Sequence, residues 1–184
     1  PELIGYARSK PGKLDYSSAG NGTSNHLAGE LFEAMTGTHM VHIPYRGSAP
    51  ALQDLIAGRV TVMFDLVLTA APHVRSGAVR GLAVTGAKRS AALPDVPTVA
   101  ESGLPGYEVS AWFGVFGPAG LQRPVVERLN AEIARALAAP DLQQRLVTQG
   151  ADTLTGSPDE FAAYLKTEVA KWGKVVREAG VKPE

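Results

Sequence analysis

A chain of 184 residues, 45% of them apolar, is long enough for one domain with a sizeable core and is not a disordered polymer. Its 18 Lys and Arg balance 18 Asp and Glu with no long run of either sign, which argues against nucleic acid or an anionic membrane as the main partner. The absence of cysteine excludes disulfides and thiolate metal sites, and no apolar stretch approaches the ~20 residues that cross a bilayer.

The chain opens at Pro1-Glu2-Leu3-Ile4, without Met and already helix-like, which reads as the inside of a longer protein; its targeting is therefore not legible here. Leu3, Ile4, Tyr6 and Ala7 suggest an amphipathic helix stopped by Pro11-Gly12. Residues 14–18 read as a strand running into Ala19-Gly20-Asn21-Gly22-Thr23. A helix follows with Leu27, Leu31, Phe32 and Met35 on one face and Gly37 as its stop. The alternation repeats. Strands are expected over 40–45, 60–66 and 79–85, with helices over 49–57 (Leu52, Leu55 and Ile56 inward) and 68–75, the latter despite Pro72. This is the pattern of βαβ units and a mostly parallel sheet. Thr98 and Glu101 form a capping box that announces a helix, and 107–117 reads as a long apolar strand bent at Gly114.

After Pro118-Ala119-Gly120 the pattern becomes helix after helix. Val126, Leu129, Ile133 and Leu137 make one stripe, Leu142 and Leu146 a shorter one. The last helix starts at Ser157-Pro158-Asp159-Glu160, with an N-cap, a first-turn Pro and a capping box, carries Phe161, Leu165, Val169, Trp172 and Val176, and ends at Gly180.

The strongest chemical signal is Ser17-Ser18-Ala19-Gly20-Asn21-Gly22-Thr23-Ser24. A strand that ends in small residues and opens a helix exposes backbone N–H groups at the positive end of the helix, which suits an anion. No Lys follows to make a Walker loop, and Asn25 stands where GxGxxG needs its third glycine. The plainer reading is a tight turn capped by Thr23 or Ser24. His26, in the first turn, faces either the cleft or the strand ends. Asp65 ends an apolar run at the carboxyl end of a strand, where ligands of open α/β sheets bind, or else caps the next helix. Arg46, beside Tyr45, offers a planar fork to a carboxylate or is a solvated loop charge. His39 and His42 point to opposite faces of an extended segment and His73 stands alone, so neither a metal centre nor a cofactor is expected. No GxSxG elbow and no nucleophile–base–orienter set emerges, so the chain does not read as an enzyme.

Taken together, Leu14-Asp15-Tyr16-Ser17-Ser18-Ala19-Gly20-Asn21-Gly22-Thr23-Ser24-Asn25-His26-Leu27-Ala28, His42-Ile43-Pro44-Tyr45-Arg46-Gly47-Ser48 and Val62-Met63-Phe64-Asp65 resemble the Bug, or TctC-like, family of solute receptors. Leu93-Pro94-Asp95-Val96-Pro97-Thr98 and Trp112-Phe113-Gly114-Val115-Phe116-Gly117 continue the likeness in order along the chain. The resemblance implies a type II periplasmic-binding-protein fold whose two lobes close on a small carboxylate, delivered to the membrane components of a tripartite tricarboxylate transporter from the periplasm. Residues 1–12 would end a lobe-one or linker helix and 13–111 would be lobe two. Residues 112–184 would be the crossing strand and a helical tail that packs on lobe one. Ser18, Asn21, Gly22 and Thr23, with Asp65, His26, Tyr45 and Arg46, would be the lobe-two half of the site. Members often carry Asn directly after the Asp, whereas Leu66 follows Asp65 here, which favours a more apolar ligand. Two rivals are an effector-sensing domain of a transcriptional regulator with the same two-lobe fold, and a phosphate-handling enzyme. Without its first lobe the chain is also expected to pair with a second copy or repack its tail.

Overall fold

The computed structural model describes residues 1–181. Helix α1 (Glu2–Ser9) buries Ala7 and leans Leu3 and Ile4 on the core before the chain turns at Gly12, whose φ of 68° suits glycine. Strand β1 (Asp15–Ser18) follows, with Tyr16, Ser17 and Ser18 all fully buried. Helix α2 (Ser24–Thr36) leads to strand β2 (Val41–Pro44), helix α3 (Ser48–Ile56) to strand β3 (Val62–Met63), and helix α4 (Val67–Arg75) comes next. The strands form one parallel sheet in the order β2-β1-β3, with Tyr16 opposite His42 on one side and Val62 on the other. Parallel neighbours need crossovers of this length, and α2 and α3 supply them. The expected α/β class is borne out.

Helix α2 ends as expected, on Gly37 in the left-handed region at φ 63°. Its buried face is Asn25, Ala28, Gly29, Phe32 and Thr36, a spacing that leaves Met35 37% exposed rather than inward. On α3, Leu52 is buried but Ile56 lies at the open end of the helix, 40% exposed. Pro72 sits inside α4 and forfeits one helical hydrogen bond without ending the helix.

Three expectations fail on backbone pairing. The strand expected over 60–66 shortens to β3, and the one over 79–85 reduces to a single parallel bridge between Val84 and Thr98. The reason is spatial. Val84 N–H and C=O bond Pro97 and Val99, while a cavity of about 600 Å³ lies between Val62, Met63 and Phe64 on one side and Leu82, Ala83 and Val84 on the other. The Thr98 and Glu101 capping box forms, with both of its bonds, yet opens only turns. Gly103 and Gly106, at φ 103° and 84°, flank Pro105 and end the helix before it starts. Residues 107–117 form no strand either. Tyr107 and Val109 stay in the core, and Val109 N–H bonds Thr85 C=O, but beyond them no strand among the described residues offers an edge. Phe113 and Val115 are 86% and 73% exposed.

The tail folds as helices α5 (Arg123–Leu137), α6 (Pro140–Thr148) and α7 (Pro158–Glu178), none with a fully buried residue. The Ser157–Glu160 capping box is present. Helix α7 packs on α2 and adds Trp172 to the core, and Gly150 docks on Val67 at the start of α4. Trp112 donates Nε1–H to Glu168 and meets Phe161 and Tyr164 edge-on, which carries the extended segment along α7. Val169 and Leu129 remain 64% and 50% exposed.

Candidate functional site

The site grows from the carboxyl end of β1. Ser18, 0% exposed, holds the start of the loop: its hydroxyl accepts the Gly20 N–H at 3.2 Å, and its carbonyl accepts the Tyr45 N–H at 3.0 Å. Gly20 passes close to β2, where an added Cβ would lie 3.4 Å from the Tyr45 carbonyl at a φ of 134°. Gly22, at φ 72°, turns the chain into α2. Thr23 is the N-cap; its hydroxyl donates to Gly20 C=O at 2.7 Å and accepts from His26 N–H at 3.5 Å. Asn21 is exposed at the loop tip.

The Gly22 amide points back into the helix and donates to His26 Nδ1 at 3.0 Å. His26 is buried, its Nε2 faces Glu30 Oε1 at 3.2 Å, and that oxygen also accepts the Tyr16 hydroxyl at 2.7 Å. His42 of β2 stacks on His26 with ring centroids 3.8 Å apart and planes 5° from parallel, and sets its Nε2 2.6 Å from Ser18 Oγ. Burial, then the neighbouring His26, lowers His42 to about 4, against an opposing pull from Glu30. Burial and the Glu30 carboxylate push Tyr16 well above the ordinary phenol range.

Asp65 joins this end of the sheet through Asn25. The Asn25 amide donates to Phe64 C=O at 2.5 Å and to Asp65 Oδ1 at 3.3 Å, and Asp65 Oδ2 accepts the Thr69 hydroxyl at 2.6 Å. The carboxylate thus ties α2 to the start of α4 through side chains. Tyr45 turns away, its hydroxyl donating to Asp54 of α3 at 2.8 Å, which raises its pKa. Arg46 is exposed and makes no hydrogen bond or ion pair among the described residues.

Of the eight candidates, Ser18, Asn21, Gly22, Thr23 and His26 form one loop-and-helix unit, with Asp65 linked to it. Tyr45 and Arg46 adjoin through the backbone, where Gly47 N–H bonds Ala19 C=O at 3.0 Å. Sequence reasoning did not assign Asn25, Glu30, Tyr16 or His42 to the site. Glu30 and Asn25 carried a signal: i, i+4 spacing from His26 for the first, a polar residue on the apolar face of α2 for the second. His42, read as facing away from His39, does so: His39 reaches Glu33 at 3.4 Å and is 75% exposed, while His42 turns inward. Among the described residues no group of three or more His, Asp or Glu is placed to hold a metal ion.

A parallel α/β sheet with a glycine loop and helix N-terminus at its carboxyl edge has its candidate site where open α/β sheets bind small ligands. The family model described as "Tripartite tricarboxylate transporter family receptor" matches residues 1–181, and the chain belongs to that family. It is 48% identical over 178 residues to the UPF0065 protein in the tcbD-tcbE intergenic region of Pseudomonas sp. (strain P51), covering 96% of this chain and 53% of that one. Among solved structures it is similar to R. palustris Rpa4515 with adipate, at 40% identity and TM-score 0.90, over 100% of this chain and 61% of the other. The periplasmic binding protein BugD matches at 36% identity and TM-score 0.87, over 100% and 62%. The chain therefore spans little more than half the length of the curated relative and about three fifths of the structures.

Proposed function

We propose that the chain is one wall of a periplasmic receptor that captures a small carboxylate and delivers it to the membrane components of a tripartite tricarboxylate transporter. The observation that carries this reading is the Gly20–Thr23 loop at the N-terminus of α2, at the carboxyl edge of a parallel sheet, within a receptor family. Adipate in Rpa4515 supports a carboxylate as the ligand class. Arg46, exposed beside the loop, supplies a cation, and the Asp65 carboxylate at the same edge of the sheet is held by Asn25 and Thr69. The receptor family, rather than an effector-sensing regulator, accounts for the whole-chain match.

The receptor reading involves no catalysis. Ser18 and His42 stand at the distance of a nucleophile and its base, but Ser18 is fully buried with its hydroxyl engaged by Gly20. A receptor holds its solute with both walls, so this chain alone binds weakly. One helix N-terminus in open solvent is worth about 0.3–1 kcal/mol. The exposed run Phe113, Val115 and Phe116 further supports pairing of two copies of this chain. The test is a titration with acetate, succinate, malate and adipate followed on backbone amides. Binding no tighter than millimolar that perturbs the 20–25 amides supports the reading; no response to any of the four counts against it.

A further inference from the structure

Two stacked imidazoles, His26 and His42, lie beneath the loop. Because Gly22 N–H donates to His26 Nδ1 at 3.0 Å, that nitrogen carries a lone pair, and the ring proton sits on Nε2 facing Glu30 Oε1. A further proton on His26 can enter only at Nδ1, where it opposes N–H to N–H and breaks the contact. A carboxylate already stands against His26, whereas among the described residues the Nε2 of His42 meets the Ser18 hydroxyl. Two charged rings with centroids 3.8 Å apart repel, so the pair takes one proton before it takes two. The lowering of His42 to about 4, in part through His26, agrees with that order.

We propose that His26 and His42 form a proton-operated latch on the Gly20–Thr23 loop: while both rings are neutral His26 Nδ1 holds the Gly22 amide, and one proton taken from solvent at Nδ1 releases it. Among the described residues the surrounding charges are these. From β1, Tyr16 shares the Glu30 carboxylate, and Glu30 itself is the acid that faces the pair. Farther along α2, Glu33 is engaged by the Met40 N–H and by His39. From α7, Glu178 borders the groove where Glu30, Glu33 and His39 surface. Near β3, Asp65 is held by Asn25 and Thr69.

One consequence rests on the receptor reading. A freed amide and a new positive charge both favour an anion on the loop, so proton and carboxylate reinforce one another. Affinity then rises as pH falls, by up to about tenfold per pH unit for one linked proton.

The latch is tested without any ligand, by a pH titration of this chain followed on the imidazole nitrogens and the backbone amides. The expected result is an unprotonated His26 Nδ1 at neutral pH, with the Gly22 amide shift and its solvent exchange following the His26 ring at one midpoint. His26→Gln, which keeps an acceptor but takes no proton, should leave the Gly22 amide flat over that range. A wild-type Gly22 amide that ignores His26 overturns the latch on its own, whether or not the variant folds; so does a folded His26→Gln that still titrates at Gly22. Succinate titrations at pH 6 and 7.5 read the linkage. Tighter binding at pH 6 supports it, and equal affinity overturns it. No binding at either pH overturns the receptor reading and leaves the amide titration to decide the latch.

Discussion

Gly29 of α2 passes so close to Tyr16 of β1 that a Cβ on Gly29 would lie 2.4 Å from the tyrosine ring. This contact sets how near the helix comes to the strand, and through it the position of Glu30 and His26 over Tyr16 and His42. Tyr16 is fully buried, stacked on His42 at 4.9 Å and edge-on to Phe64, so its ring has nowhere to retreat. Gly29→Ala should therefore destabilise the chain by about 1–2 kcal/mol, overpacking outweighing the gain in helix propensity. Denaturant unfolding measures it; an Ala variant as stable as wild type would mean the helix can lift off the strand freely.

Thr23 is expected to act on stability before binding. Its hydroxyl joins Gly20 C=O to the first turn of α2, so Thr23→Val should cost about 1 kcal/mol of stability. The same change should weaken carboxylate binding, because the loop loses the bond that closes it. Unfolding and ligand titration on this one variant separate the two effects; intact stability with the fold preserved would remove the capping role.

The pH dependence of folding follows from His42. Its folded pKa is lowered to about 4, below that of an unfolded histidine near 6.5. Between these values the unfolded chain binds the proton that the folded chain refuses. Stability is full above about pH 6.5 and is lost as pH falls toward 4. The shift sets an upper limit of roughly 3 kcal/mol, and partial exposure to solvent brings the expected loss nearer 1–2 kcal/mol. Unfolding measured at pH 7.5, 6 and 4.5 should show a smaller fall in His42→Asn than in wild type. Equal slopes would remove His42 as the titrating group.

What the sequence disclosed was local. Gly37 as a helix stop, Ser157 and Glu160 as a capping box and the βαβ order were all legible, because each depends on residues a few positions apart. The strands over 79–85 and 107–117 were not. Alternation of apolar residues describes a segment that wants a pleated neighbour, and neither segment has one along its length among the described residues. The site was legible as a loop, with Gly20, Gly22 and Thr23 in place. The side chains beneath it were not: His42 is 24 residues from Ser18, and Asn25 is 39 from Phe64, pairings that only the folded sheet creates.

The apolar run Phe113, Val115 and Phe116 predicts self-association. Sedimentation of this chain from micromolar to submillimolar concentration should show a monomer–dimer equilibrium. Phe113→Ser with Phe116→Ser should shift it at least tenfold toward monomer, since each Phe removes apolar area from the contact at about 25 cal/mol per Å². A wild-type chain that stays monomeric throughout would leave the run to another surface.

The central claim is that the loop between β1 and α2 receives a carboxylate. Its most direct test is a backbone amide titration of this chain with succinate and adipate at constant ionic strength. Saturable shifts are expected at Gly20, Gly22, Thr23 and Asn25 with midpoints no tighter than millimolar, while α5 and α6 stay unchanged. Shifts confined to the tail helices, or no saturable shift in the loop at any concentration, would contradict it.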